Sequence, residues 1–186
     1  MTISQVLQRI TGLLDQNSIA YMLTGSFASA YYGIPRSTQD VDIVIEATRA
    51  QLRAFQQSLP PDQYYSELTA ALQAHQAASM FNVIDLSTGW KIDFIFRKSR
   101  PFSREEFRRR LRVNLQGVSL FVASAEDIVI AKLEWSKLAQ SLRQIDDVTA
   151  ILRIRLEALD GSYIQKWTSE LHLEAEWDKA RRAAEL

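Results

Sequence analysis

Asp40-Val41-Asp42-Ile43-Val44-Ile45 is the stretch on which the fold turns. Strand side chains alternate faces, so residues two apart point the same way. Asp40 and Asp42 therefore project together, with Val41, Ile43 and Ile45 on the opposite face. Aspartate is poorly suited to strands, and two on one face beside Val and Ile require a reason. A second apolar run, Lys91-Ile92-Asp93-Phe94-Ile95-Phe96, reads as a neighbouring strand with Asp93 opposite Ile92, Phe94 and Phe96. Pairing of the two strands in the right register brings three carboxylates together. Such acids raise one another's pKa unless a cation lies among them. Mg²⁺ takes oxygen ligands and commonly works with substrate phosphates, so the pattern points to a metal site that holds a nucleotide.

Upstream, Ile19-Ala20-Tyr21-Met22-Leu23 reads as a buried strand ending at Thr24-Gly25-Ser26. Ser26 is placed to cap a helix from Phe27 to Tyr32. The first N–H groups of a helix are unpaired and carry the positive end of its dipole, glycine allows close approach, and a serine hydroxyl can donate to phosphate. A plain turn with a capping serine is the bland alternative. Residues 3–16 have amphipathic helical spacing. Thr48 caps a helix to about Gln57, which Pro60-Pro61 ends, and 62–77 reads as helix. Residues 81–86 and 90–96 form strands around the hairpin signal Ser87-Thr88-Gly89, and 113–122 form one or two strands around Gln116-Gly117. Helices are expected at 124–140, 142–157 and 162–171, with a short tail. This divides the chain into a mixed α/β part, residues 1–122, and a helical part, 123–186, packed on it.

The chain has 186 residues, is 47% hydrophobic, and balances 22 basic against 22 acidic residues. Zero net charge gives no global pull toward nucleic acid or a membrane surface. Cysteine is absent, which excludes disulfides, thiolate metal sites and a cysteine nucleophile. No apolar run approaches the ~20 residues that span a bilayer, and the N-terminus does not read as a signal peptide. The expected location is the cytoplasm, with no membrane partner.

Thr24-Gly25-Ser26-Phe27-Ala28, followed by Gly33, Arg36, Thr38, Asp40 and Asp42, resembles the nucleotidyltransferase superfamily that includes DNA polymerase β. Within it, the stretch is similar to AbiEii-type and related nucleotidyltransferases. Glu126-Asp127-Ile128, Lys132-Leu133-Glu134-Trp135, Arg143-Gln144 and Asp146-Asp147 resemble a later motif of that group, and Leu159-Asp160, Tyr163-Ile164 and Trp167 continue the likeness. The resemblance implies an α/β (α+β) nucleotidyltransferase fold: a small mixed sheet flanked by helices, with a helical C-terminal part. It implies Mg²⁺, or Mn²⁺ in its place, bound by Asp40, Asp42 and Asp93, with Asp93 bridging to a second metal or serving as base. Gly25 and Ser26 would hold phosphates of an NTP, joined by Arg36 and Lys132. The implied reaction moves a nucleoside monophosphate to an acceptor on RNA, such as tRNA, or on protein, in some members as part of a toxin–antitoxin pair with a cognate partner. The alternative from another class is a non-catalytic module that binds a nucleotide or partner and keeps the fold.

From the residues alone, Arg36 either pairs a phosphate or anchors its loop against an acid, and Lys132 is a surface lysine or a phosphate contact. Asp146 either orients Lys132, caps a contact within the helical part, or lies on a solvated helix face. Residues 97–112 hold eight Lys or Arg against Glu105 and Glu106. A solvated helix is the favoured reading of that run, and an RNA-phosphate track the other. His75 and His172 have no ligand-like spacing.

Overall fold

The structure is a computed structural model that describes residues 2–186. Their elements run α1 (Ile3–Gln16), β1 (Ala20–Leu23), α2 (Gly25–Tyr32), β2 (Asp40–Glu46), α3 (Arg49–Ser58), β3 (Tyr64–Tyr65), α4 (Leu68–Ala77), β4 (Met80–Asp85), β5 (Lys91–Phe96), α5 (Pro101–Arg108), β6 (Leu111–Leu115), β7 (Val118–Val122), α6 (Ala125–Ala139), α7 (Leu142–Arg155), α8 (Gly161–Glu170) and α9 (Glu174–Ala184). They form two compact units. One comprises the residues up to Thr24 together with Thr38–Val122; the other comprises Gly25–Ser37 with Ala123–Leu186.

The first unit carries a seven-stranded mixed sheet in the order β3-β4-β5-β2-β1-β7-β6. β2 and β5 run parallel, while β1–β2 and β4–β5 are antiparallel. One face is apolar, as the alternation requires: Val41, Ile43, Ile92, Phe94 and Val83 are all buried. Helices α3 and α4 cover this face. Phe55 of α3 meets Phe94 edge-on at 5.3 Å, Phe81 stacks on Phe94 at 5.2 Å, and His75 of α4 meets Phe96 at 5.4 Å. Thr48 caps α3 by accepting from the Gln51 amide at 3.3 Å, and Gln51 Oε1 accepts in return from the Thr48 amide at 2.9 Å.

The β4–β5 turn is organised by a fully buried acid, Asp85. Its Oδ1 accepts from the Ser87 amide (3.0 Å), the Ser87 hydroxyl (2.6 Å) and the Thr88 amide (3.1 Å). Its Oδ2 accepts from Arg9 of α1. Burial pushes the Asp85 carboxyl up, but the bonds from Ser87 and Thr88 and the charge of Arg9 outweigh it, and its pKa lies below the ordinary carboxylate value. Gly89 completes the turn at φ +74°, a conformation that disfavours a side chain.

The second unit is helical. Tyr32 of α2 donates its buried hydroxyl to the Ala123 carbonyl at 2.9 Å, and Arg155 of α7 donates to the Tyr32 carbonyl at 3.1 Å. Burial raises the Tyr32 phenol well above its ordinary pKa. A Cβ on Gly33 would lie 3.2 Å from Ile151 Cγ1 and from the Ile151 amide, so the absent side chain is what lets α2 and α7 approach. Ser124 caps α6, accepting from the Asp127 amide at 3.2 Å and donating to Asp127 Oδ2 at 2.6 Å. Tyr163 of α8 donates to the other oxygen of Asp127 at 2.6 Å.

Three local expectations are corrected. Residues 62–77 are not one helix: Tyr64 and Tyr65 pair with Asp85 and Ile84 as an edge strand, and the helix starts only at Leu68. Tyrosine favours strands, and burial of Tyr64 against the sheet wins over helical spacing. The second helix starts at Gly25, so Ser26 lies inside its first turn and does not cap it. The third correction, of Asp146, belongs to the site.

Candidate functional site

Parallel pairing of β2 with β5 sets Asp42 directly beside Asp93, and Asp40 beside Lys91. All four share the sheet face opposite the one covered by α3 and α4. Lys91 Nζ lies 2.8 Å from Asp93 Oδ2 and 3.6 Å from Asp40 Oδ1. Its pKa is raised, first by the hydrogen bond to Asp93 and then by the charges of Asp93 and Asp40, against the opposing effect of burial. Asp93 is only 5% exposed, and its Oδ1 has no hydrogen-bond partner. A buried carboxylate oxygen without a donor is costly. A hard cation would satisfy it, so this donor set fits Mg²⁺ chemically. Asp40 is exposed and Asp42 half-buried. Among the described residues, no group of three metal-capable side chains is gathered closely enough to hold an ion as the side chains stand. The ammonium of Lys91 is the cation shared by Asp93 and Asp40.

The turn that follows β1 starts at the same place. The Thr24 amide donates to the Asp42 carbonyl at 2.9 Å, and Gly25 is the next residue. Gly25 adopts φ +63°, the left-handed region that glycine enters without cost. The Ser26 hydroxyl accepts from Arg36 Nη2 at 2.5 Å. Arg36 also forks onto Asp147, with Nε 3.0 Å from Oδ1 and Nη2 3.2 Å from Oδ2. Lys132 Nζ donates to the same Oδ2 at 2.7 Å. Ser26, Arg36, Lys132 and Asp147 thus form one hydrogen-bonded group within the helical unit, with two cations on one carboxylate. Burial pushes the Asp147 carboxyl up, but the bonds from Arg36 and Lys132 prevail and hold it below the ordinary range.

Asp147, not Asp146, orients Lys132, and Asp146 is exposed. The signal was legible: Asp147 lies on the stripe with Val148, Ile151 and Leu152, which is the buried face of α7. Lys91 was also overlooked. The alternation that pairs Asp40 with Asp42 equally pairs Lys91 with Asp93.

The basic run around α5 is engaged locally. Arg97 forks onto Glu46, Arg108 onto Glu105, and Arg112 donates to Ser119. Arg110 lies over the rings of Phe107 and Phe121 at 4.5 and 5.1 Å. These contacts match a helix and strand that use their charges in place.

The fold is that of solved nucleotidyltransferases. The chain is similar to an antigenic nucleotidyltransferase-like protein from Paracoccidioides brasiliensis, at 17% identity and TM-score 0.59 over 97% of this chain and 92% of that one. It is similar to ANT(2″)-Ia in complex with adenylyl-2″-tobramycin, at 11% identity and TM-score 0.62 over 94% and 99%. It is also similar to the lincomycin-bound lincosamide antibiotic adenylyltransferase LnuA, at 14% identity and TM-score 0.52 over 78% and 95%. No curated protein matches the sequence. The family described as nucleotidyltransferase of unknown function (DUF6036) matches residues 1–183, and the chain belongs to it. Among the described residues, no helix is long and apolar enough to cross a membrane.

Proposed function

We propose that this chain transfers a nucleoside monophosphate from an NTP to a hydroxyl acceptor. The observation that carries the reading is the β2–β5 register, which sets Asp42 beside Asp93 with Asp40 on the same face. Asp40, Asp42 and Asp93 are the candidate ligands for Mg²⁺, or Mn²⁺ in its place. The ion, when bound, would neutralise charge on the triphosphate and on the leaving pyrophosphate. Asp93 is also the candidate base for the acceptor proton, the alternative to its bridging a second metal. The acceptor oxygen then bonds to the α-phosphorus, the bond from that phosphorus to the bridging oxygen breaks, and pyrophosphate leaves with its electron pair. Gly25, through the backbone of its turn, and Ser26, Arg36 and Lys132 are the proposed phosphate contacts. Asp147 keeps the two cations ordered before substrate arrives, which lowers the cost of positioning them.

The acceptor is proposed to be RNA or protein, on the likeness of the Gly-Ser and Asp-x-Asp stretches to AbiEii-type nucleotidyltransferases. The same likeness is the support for proposing a cognate toxin or antitoxin partner and a cytoplasmic location. The likeness to ANT(2″)-Ia bound to adenylyl-2″-tobramycin favours a second reading, a small-molecule hydroxyl acceptor.

A label-transfer assay tests both. The chain is mixed with Mg²⁺, each α-phosphate-labelled NTP, and RNA, protein or aminoglycoside acceptors, with Asp40→Ala/Asp42→Ala as control. Label on one acceptor class, absent with the control, supports transfer and names the class. Binding of NTP without transfer to any of them turns the reading toward a non-catalytic nucleotide-binding module.

A further inference from the structure

We propose that Lys91 is a built-in counter-ion of the carboxylate face, which holds Asp93 and Asp40 while no divalent cation is bound and must yield them when one enters. Lys91 thereby sets the affinity of the site for its metal. The inference rests on the reading of these acids as metal ligands.

Backbone geometry puts the lysine within reach of both acids. Lys91 is two residues before Asp93 on β5 and so shares its face, and it is the direct cross-strand neighbour of Asp40 on β2. Its ammonium bonds Asp93 Oδ2 at 2.8 Å and sits 3.6 Å from Asp40 Oδ1. The carboxylates would otherwise repel across adjacent strands. A divalent cation on the same carboxylates meets a positive charge within ~4 Å, an arrangement that Coulomb repulsion disfavours. The lysine has an easy exit: its side chain is 39% exposed, and its flexible stem can carry the charge into water. Asp93 Oδ1, which the lysine leaves without a donor, is a further carboxylate oxygen that a bound ion would satisfy.

A purely structural lysine makes a different prediction. Its removal would lower stability and leave metal affinity unchanged. The deciding measurement is Mn²⁺ binding to the full chain by titration calorimetry, for the wild type, Lys91→Met, Lys91→Arg and Asp42→Asn, with thermal melts of each with and without Mn²⁺. Lys91→Met is expected to bind Mn²⁺ about fivefold more tightly, the factor by which removing a competing half-exposed ion pair shifts an equilibrium. It should also gain more in melting temperature from added Mn²⁺ than the wild type does. Lys91→Arg keeps the charge and should bind like the wild type. Lys91→Gln is the second variant should the methionine disturb folding. Equal or weaker Mn²⁺ binding in a cooperatively folded Lys91 variant, with binding lost in Asp42→Asn, overturns this proposal and leaves the metal reading standing. Mn²⁺ binding to none of the proteins overturns both.

Discussion

Lys132 and Asp147 meet at 2.7 Å with both side chains almost wholly buried, at 6% and 8% exposure. Arg36 joins them through a bidentate fork. Removing the acid therefore leaves two cations facing each other. Asp147→Asn should lower unfolding free energy by roughly 3 kcal/mol, since breaking a buried pair strands its partner. Urea denaturation measures the loss. A Lys132→Met/Asp147→Asn cycle should show coupling of at least about 1 kcal/mol, and additive effects would contradict a direct pairing.

The same carboxyl gives a pH dependence with a defined sign. Its pKa is depressed in the folded state, so the unfolded chain binds the proton more readily. The stabilisation is complete above the unfolded value of about 3.9 and is lost as pH falls through the lower folded value. Asp85 acts in the same direction. Wild-type stability should therefore drop more steeply below pH ~4 than that of Asp147→Asn, as followed by denaturation at several pH values. Parallel curves would show that the buried pair does not govern acid unfolding.

Asp40 is exposed, and its substitution should separate chemistry from folding. Asp40→Asn is expected to change stability by less than about 0.5 kcal/mol, the usual range for exposed positions. Transfer should fall at least about a hundredfold, in line with the loss of one preorganised charge at a reacting phosphate. Label transfer beside a circular-dichroism melt reads both quantities. A large loss of stability would mean that the strand, not the chemistry, depends on Asp40.

Asp85 is the structural counterpart, an acid on the opposite sheet face. It accepts from three donors of the β4–β5 turn and from Arg9. Asp85→Ala should cost about 2 kcal/mol, by removing the acceptor that the part-buried Arg9 and the turn donors share. Hydrogen exchange at the Ser87 and Thr88 amides should accelerate with it, and unchanged protection there would refute this role.

Gly25→Ala tests the turn after β1. At φ +63° a Cβ is placed close to the backbone, at a cost of roughly 1–2 kcal/mol. NTP binding should weaken at the same time if this turn holds phosphate, and calorimetric titration with a non-hydrolysable NTP measures it. Intact NTP affinity in a destabilised variant would assign the glycine to folding alone.

Elements whose pattern is local were readable in advance. The alternation in Asp40–Ile45 and Lys91–Phe96 gave both strands, and the capping serine gave the start of α6 at Ala125. Register was not readable: nothing local says that Asp42 rather than Asp40 pairs with Asp93. Tyr64–Tyr65 were misread because two residues make a strand only when a neighbouring edge accepts them. Ser26 reads as a cap because nothing local shows that the helix already starts at Gly25, or that the hydroxyl meets Arg36 ten residues downstream. Asp146 and Asp147 differ by a turn of 100° about the α7 axis, and only attention to the apolar stripe separates them.

The placement of α2 among the C-terminal helices has a consequence for synthesis. Tyr32 gives its hydroxyl to Ala123, and Gly33 rests against Ile151, so the surface on which α2 settles is made more than ninety residues after it. A chain emerging from the ribosome can pair β1, β2 and β5 while α2 still waits for its berth. Completion of the helical unit is therefore deferred until α7 has left the exit tunnel. A nascent chain stopped after β7 would carry α2 with Tyr32 and its neighbours unsheltered, the kind of exposed segment that chaperones bind.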